Sequence, residues 1–184
     1  MKWSLPKTIE ISGEAHPINA DYRDILNIIT KLSDENVDGQ IRVYVSLALF
    51  YKNFFEIDES SYREAVEKMV DFISCGEKRD GRKQPKQIDW EQDYSMIVSG
   101  INKVAGYDIR EEKFLHWWSF ISMFSEIGEG PLLTVVSIRE KLRKGKKLEK
   151  WEKEFYHKNR DKVDFKTHYS KKENEVISAW LGVK

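Results

Sequence analysis

Hydrophobic period changes once along this chain of 184 residues, and the change comes early. Thr8-Ile9-Glu10-Ile11 and Glu14-Ala15-His16-Pro17-Ile18 flank Ser12-Gly13, which suits a short β-hairpin with Pro17 confined to an edge position. From Asn19 onward the apolar residues recur at i, i+3, i+4 and i+7, the spacing of helices. A two-stranded ribbon is too small to stand alone, so it must pack on those helices or pair with another subunit. The expected fold is mainly α: a single helical domain over residues 1–145, with its hairpin in 1–20, followed by a basic, helical C-terminal extension over 146–184.

Local signals divide the helical part. Tyr22, Ile25, Leu26, Ile29 and Leu32 form one face, with Asn19 or Asp21 as cap, and Ser33 to Gly39 is a polar connection. Gln40 to Phe54 reads as a second helix by its length, although Ile41, Val43, Tyr44 and Val45 are strand formers that leave its start ambiguous. Ser61-Tyr62-Arg63-Glu64 is a capping-box pattern opening a third helix with Ala65, Met69, Phe72 and Ile73 on one face and Gly76 as the stop. Glu77 to Lys86 has no apolar residue and reads as a loop. A fourth helix is expected from Asp89 to Gly106, with Trp90, Tyr94, Ile97, Val98, Ile101 and Val104 on its face, and a fifth from Glu111 to Ile127. Pro131 starts a sixth, and further helices are expected over Lys146 to Asn159 and Glu173 to Leu181.

Charge narrows the function classes. The 31 basic and 31 acidic residues balance, but unevenly: from Ile138 onward there are 15 basic against 8 acidic, and before it 16 against 23. Solvated lysines on helices account for such a surplus, and it can also steer a charged partner or favour head-to-tail self-association. The longest apolar stretch, Ile41 to Phe55, is broken by Arg42 and Lys52, which excludes a membrane span. Lys2, Pro6, Lys7 and Glu10 do not read as a signal peptide, so a cytoplasmic location is expected. Cys75 is the single cysteine, which rules out an intramolecular disulfide and a cysteine-based zinc site within one chain.

No arrangement for enzyme chemistry stands out. Phosphate-binding loops, a dinucleotide fingerprint and a nucleophile elbow are missing from the sequence, so no catalytic, cofactor-binding or metal-binding residues are assigned and an enzyme is not expected. His16, His157 and His168 read as surface or interface histidines, and His116 as a buried hydrogen-bonding one. Asp89, Glu91 and Asp93 are better explained by helix capping than by a magnesium site. The basic stretch Arg139 to Lys158, with Trp151, Phe155 and Tyr156, is diluted by Glu140, Glu149, Glu152 and Glu154, which argues against nucleic acid as a partner. Six tryptophans, eight tyrosines and nine phenylalanines in such a chain favour contacts with other proteins, against the competing reading that they fill one core.

Several segments together resemble the bacteriophage gene-product-fifteen family of tailed phages and prophages of Gram-positive bacteria. They are Ile18-Asn19-Ala20-Asp21-Tyr22-Arg23-Asp24-Ile25-Leu26, Phe72-Ile73-Ser74-Cys75-Gly76, Asp89 to Asn102, Tyr107-Asp108-Ile109, Leu115-His116-Trp117-Trp118-Ser119-Phe120 and Ser137-Ile138-Arg139. The resemblance spans nearly the whole chain and fades after about Asp161. It implies a tail-assembly chaperone of long-tailed phages, working in the host bacterial cytoplasm. Several copies, as a homo-oligomer, would coat the tape-measure protein and yield to the tail-tube protein, without catalysis or cofactor. The alternative is a structural tail or neck subunit retained in the virion. For partner contact the expected residues are Tyr51, Phe54 and Phe55 with Arg79, Arg82 and Lys83 of the basic loop; Trp90, His116, Trp117, Trp118 and Phe120 are expected in the core or at a subunit interface.

Overall fold

The structure, a computed structural model, describes residues 4–77 and 85–166, and these form two compact units. The first holds residues 4–77 together with Phe114–Trp118; the second holds 85–113 and 119–166. The helical architecture with an N-terminal hairpin is as expected.

In the first unit β1 (Thr8–Ile11) and β2 (Glu14–Pro17) pair antiparallel, Ile11 opposite Glu14 and Thr8 opposite Pro17. Ser12 and Gly13 both take positive φ, 50° and 86°, matching the twist of a two-residue hairpin. Beyond Pro17 the chain keeps extended pairing: Ile18 bridges Tyr51, and the Lys52 N–H donates to the Pro17 carbonyl at 2.9 Å. Helix α1 (Tyr22–Ser33) is capped by Asp21, whose carboxylate accepts the Arg23 N–H, and it buries Tyr22, Ile25 and Ile28. Its buried line therefore runs through Ile28, with Leu26, Ile29 and Leu32 half-buried beside it.

Helix α2 (Gly39–Phe50) starts at the Asp38 cap and ends four residues before the expected Phe54. The reason is the pairing of Tyr51 with Ile18, which takes the chain into an extended conformation and then a 3-10 turn over Phe54–Glu56. A second 3-10 turn (Glu59–Ser61) leads into α3 (Tyr62–Ile73), which buries Ala65, Met69 and Phe72 and stops where Cys75 and Gly76 turn left-handed. The capping box expected there does not form. Its two side chains hold the hairpin turn instead: Glu64 Oε2 accepts the Ser12 N–H at 3.1 Å, and the Ser61 and Ser12 hydroxyls lie 2.9 Å apart.

The second unit is built on α4 (Tyr94–Ala105), most of α5 (Trp117–Ser125), α6 (Pro131–Arg143), α7 (Lys150–Lys158) and the short α8 (Arg160–Val163). Helix α4 starts later than expected, because Asp89 uses its carboxylate on the Glu91 and Gln92 N–H groups of a preceding turn; Gly106 at φ 79° closes it as expected. Tyr94 and Val104, expected on the buried face, are exposed. Val135 and Ile138 of α6 pack with Leu148 and Val163, with Met96, Phe155 and Tyr156 against them, so α7 and α8 share the core of α6. Each such buried aliphatic side chain contributes roughly 1.5–3 kcal/mol by leaving water. Arg139, expected in a solvated basic stretch, is buried. Helix α7 begins at Lys150, after a capping box between Glu149 and Glu152 that the sequence pattern did not suggest. The terminal helix expected over Glu173 to Leu181 lies outside the described residues.

Candidate functional site

Helix α2 carries a single charged residue, Arg42, and its apolar residues surround it, so burial cannot be complete on all sides. Ser46, Leu47 and Phe50 face inward, and Ile41, Tyr44, Val45 and Ala48 form the opposite stripe at i, i+3, i+4 and i+7. Ile41 is 55% exposed, Tyr44 47% and Val45 37%. The guanidinium of Arg42 is turned away, donating from Nη1 to the Leu32 carbonyl at 3.0 Å, where a cation meets the C-terminal end of α1.

Aromatic rings extend this stripe. The Tyr44 ring stands edge-on to Phe54 at 5.0 Å and 6.4 Å from Tyr62, and Phe54 in turn contacts Phe55 at 5.4 Å. Phe55 is 86% exposed. Burial raises the Tyr62 hydroxyl above its ordinary pKa, with further contributions from Tyr44, Glu59 and Asp58, so carboxylates border the ring cluster. The result is an apolar surface of Ile41, Tyr44, Val45 and Phe55 held up by the buried Phe54.

This corrects the exposure expected of two residues. Tyr51 and Phe54 are core residues, Tyr51 with its hydroxyl donating to the Ala65 carbonyl at 2.8 Å; of the three expected rings only Phe55 faces solvent. Arg79, Arg82 and Lys83 lie outside the described residues. Ile41, Tyr44 and Val45 were missed as surface residues, though the uniform apolarity of α2 was the available signal.

The remaining aromatic cluster is structural. Leu115 and His116 are extended rather than helical, because the Tyr22 N–H donates to the Leu115 carbonyl at 2.9 Å and the Trp117 N–H to the Ala20 carbonyl at 2.8 Å. Helix α5 therefore opens six residues later than expected. His116 Nδ1 accepts the Trp118 N–H at 3.1 Å, which leaves the proton on Nε2 to donate to the Pro6 carbonyl at 3.0 Å. Trp117 is buried and donates to the Ile73 carbonyl at 2.9 Å; Trp118, half-buried, donates to Phe72 at 2.9 Å. In the second unit Phe120 is buried, and the half-buried Trp90 lies 6.2 Å from it. His16, expected at a surface or interface, is buried beside Asn53 and Tyr51.

The model of the bacteriophage Gp15 protein family matches residues 1–165 of the chain. The chain belongs to that family. Neither a curated protein nor a solved structure shows a significant match. Gp15 family membership suggests a phage structural or morphogenesis protein.

Two further features of this Gp15 family protein bear on what it can bind. Its second unit has a groove of about 940 Å³ lined by Met96, Gly100, Ile127, Leu132, Phe155 and Lys162. Its lining mixes apolar, polar and charged side chains, unlike the apolar α2 surface. Among the described residues no three His, Cys, Asp or Glu side chains are grouped to hold a metal ion, and no helix is long and apolar enough to cross a membrane.

Proposed function

We propose that this Gp15 family protein is a tail-assembly chaperone that binds the tape-measure protein and keeps it in solution until the tail tube polymerises around it. The observation that carries this reading is the α2 surface, where Ile41, Tyr44 and Val45 repeat at helical spacing and Phe55 stands clear of the core. An apolar helix face of this kind accepts the apolar stripe of an amphipathic helix, the recognition mode a long helical client offers many times over. Several copies act on one client in the host cytoplasm, without catalysis or cofactor. Each contact is small enough for tail-tube subunits to displace it, since weak helix-in-face contacts are governed by fast dissociation.

Co-expression with the tape-measure protein tests the proposal. The expected outcome is soluble tape-measure protein that co-purifies with this chain, and loss of both effects for the Ile41→Gln/Phe55→Ser variant with its fold intact. Tape-measure protein that stays insoluble beside well-expressed, folded chaperone counts against the reading, and finding the chain in purified particles would instead favour a virion subunit.

A further inference from the structure

The α2 surface is bordered on two sides by carboxylates. Asp34, Glu35 and Asp38 lie in the connection that feeds the helix, and Glu56, Asp58 and Glu59 follow Phe55 directly. From Lys31 to Arg63 these six acids stand against four cations, Lys31, Arg42, Lys52 and Arg63, of which Arg42 is tied to the end of α1 and Arg63 pairs with Glu67 at 3.2 Å. Asp38 Oδ1 accepts the Gln40 and Ile41 N–H groups at 2.8 and 3.3 Å, which holds its carboxylate within a turn of the stripe. Asp58, three residues after Phe55, accepts the Ser60 hydroxyl and N–H, and these bonds hold it below the usual carboxylate range, so it stays charged.

We infer that the partner of the α2 surface is a single amphipathic helix whose apolar stripe is flanked by lysines and arginines. This rests on the chaperone reading and specifies the chemistry of the client segment. Charge complementarity sets the sign: a basic-flanked helix gains from the acidic border, while an acidic-flanked one meets like charge. Area sets the size. With the exposures given above, Ile41, Tyr44, Val45 and Phe55 present on the order of 450 Å² of apolar surface, the size of the largest apolar patch on an ordinary monomer, ~300–600 Å². That falls short of the ~800 Å² per partner buried in a standard protein interface, which suits one helix laid on the face rather than a stable dimer.

Two labelled helical peptides of about 18 residues, sharing one leucine stripe and flanked by lysine in one and glutamate in the other, are titrated with the full chain by fluorescence anisotropy. In about 50 mM salt the lysine-flanked peptide is expected to bind at least about tenfold more tightly, and in about 500 mM salt most of that preference disappears. Ile41→Gln/Phe55→Ser removes binding, and Glu35→Lys/Glu59→Lys removes the preference while leaving the stripe. Equal binding of the two peptides, binding of neither, or a lysine preference untouched by the stripe substitutions overturns the inference. So does a chain that sedimentation shows to self-associate through these side chains, with Ile41→Gln/Phe55→Ser restoring the monomer. Tape-measure protein that is solubilised in co-expression while the peptides bind without charge preference leaves the chaperone reading standing and removes only this specification of its client.

Discussion

The guanidinium of Arg139 lies against the carboxylate of Asp93 as a bidentate pair, Nη1 to Oδ2 at 2.6 Å and Nη2 to Oδ1 at 2.9 Å, with Asp93 fully buried. The other donors are taken by the carbonyls of Val163, Gln87 and Lys162 at 2.7, 3.1 and 2.7 Å, and the Phe165 ring lies 4.1 Å from the guanidinium carbon. All five N–H groups of the side chain are therefore used. One cation ties the start of α4, the residues before it, the last two residues of α8 and the Phe165 ring beyond them to helix α6.

Breaking this pair from either side leaves a buried charge unpaired. Arg139→Met and Asp93→Leu are each expected to cost about 3–5 kcal/mol in urea unfolding, and the double variant less than the sum of the two, because a buried ion pair replaced as a whole loses much less than one stripped of its partner.

Neighbouring phenylalanines should separate stability from binding. Phe54→Ala empties a buried site between Tyr44, Tyr62 and Phe55 and is expected to cost about 3–5 kcal/mol. Phe55→Ser removes an exposed ring and should stay within about 0.5 kcal/mol of the parent in the same melt. Only the second variant is then useful in binding measurements, and a large stability loss for it would show the ring to be packed.

Gly100 sits inside α4, where alanine ordinarily gains about 1 kcal/mol in helix propensity. Here a Cβ would stand 2.9 Å from both Cδ1 and Cγ2 of Ile127. Gly100→Ala is therefore expected to lower stability by about 1 kcal/mol, and Gly100→Ala/Ile127→Ala to lose less than the sum of the two single losses, because the shortened side chain no longer meets the new methyl. Thermal unfolding of the three variants checks the sign.

Acid should weaken α7. The Glu152 carboxylate accepts from Lys141 Nζ at 2.6 Å and from the Glu149 N–H at 2.8 Å, and both bonds lower its pKa from the ordinary 4.5. A group depressed on folding contributes stability that is complete above its unfolded pKa and is lost as pH falls through its folded one. The melting temperature should therefore hold between pH 7 and 5 as far as this residue is concerned, then decline below about 4.5, and Glu152→Gln should flatten that part of the profile. An unchanged acid limb in the variant would show that other carboxylates dominate it.

Local signals in the sequence determined much of this protein. The hairpin, the Asp21 cap, the stops at Gly76 and Gly106 and the start at Pro131 each depend on neighbours within a few residues, so residue type and spacing suffice to read them. Tertiary structure decided the rest, because the competing partners are far away in the chain. Glu64 and Ser61 leave their capping box for Ser12, 52 and 49 residues distant; Leu115 and His116 leave their helix because Asp21 and its neighbours, 94 residues upstream, offer extended pairing; and Asp93 finds Arg139 across 46 residues. The α2 surface was hidden for a related reason. A helix that is apolar on nearly every side shows no preferred face, and the side left open is settled only by what packs on the other. The same holds for its rings: once Tyr51 pairs with Ile18 and the chain leaves the helix, Tyr51 and Phe54 turn into the core and Phe55 turns out.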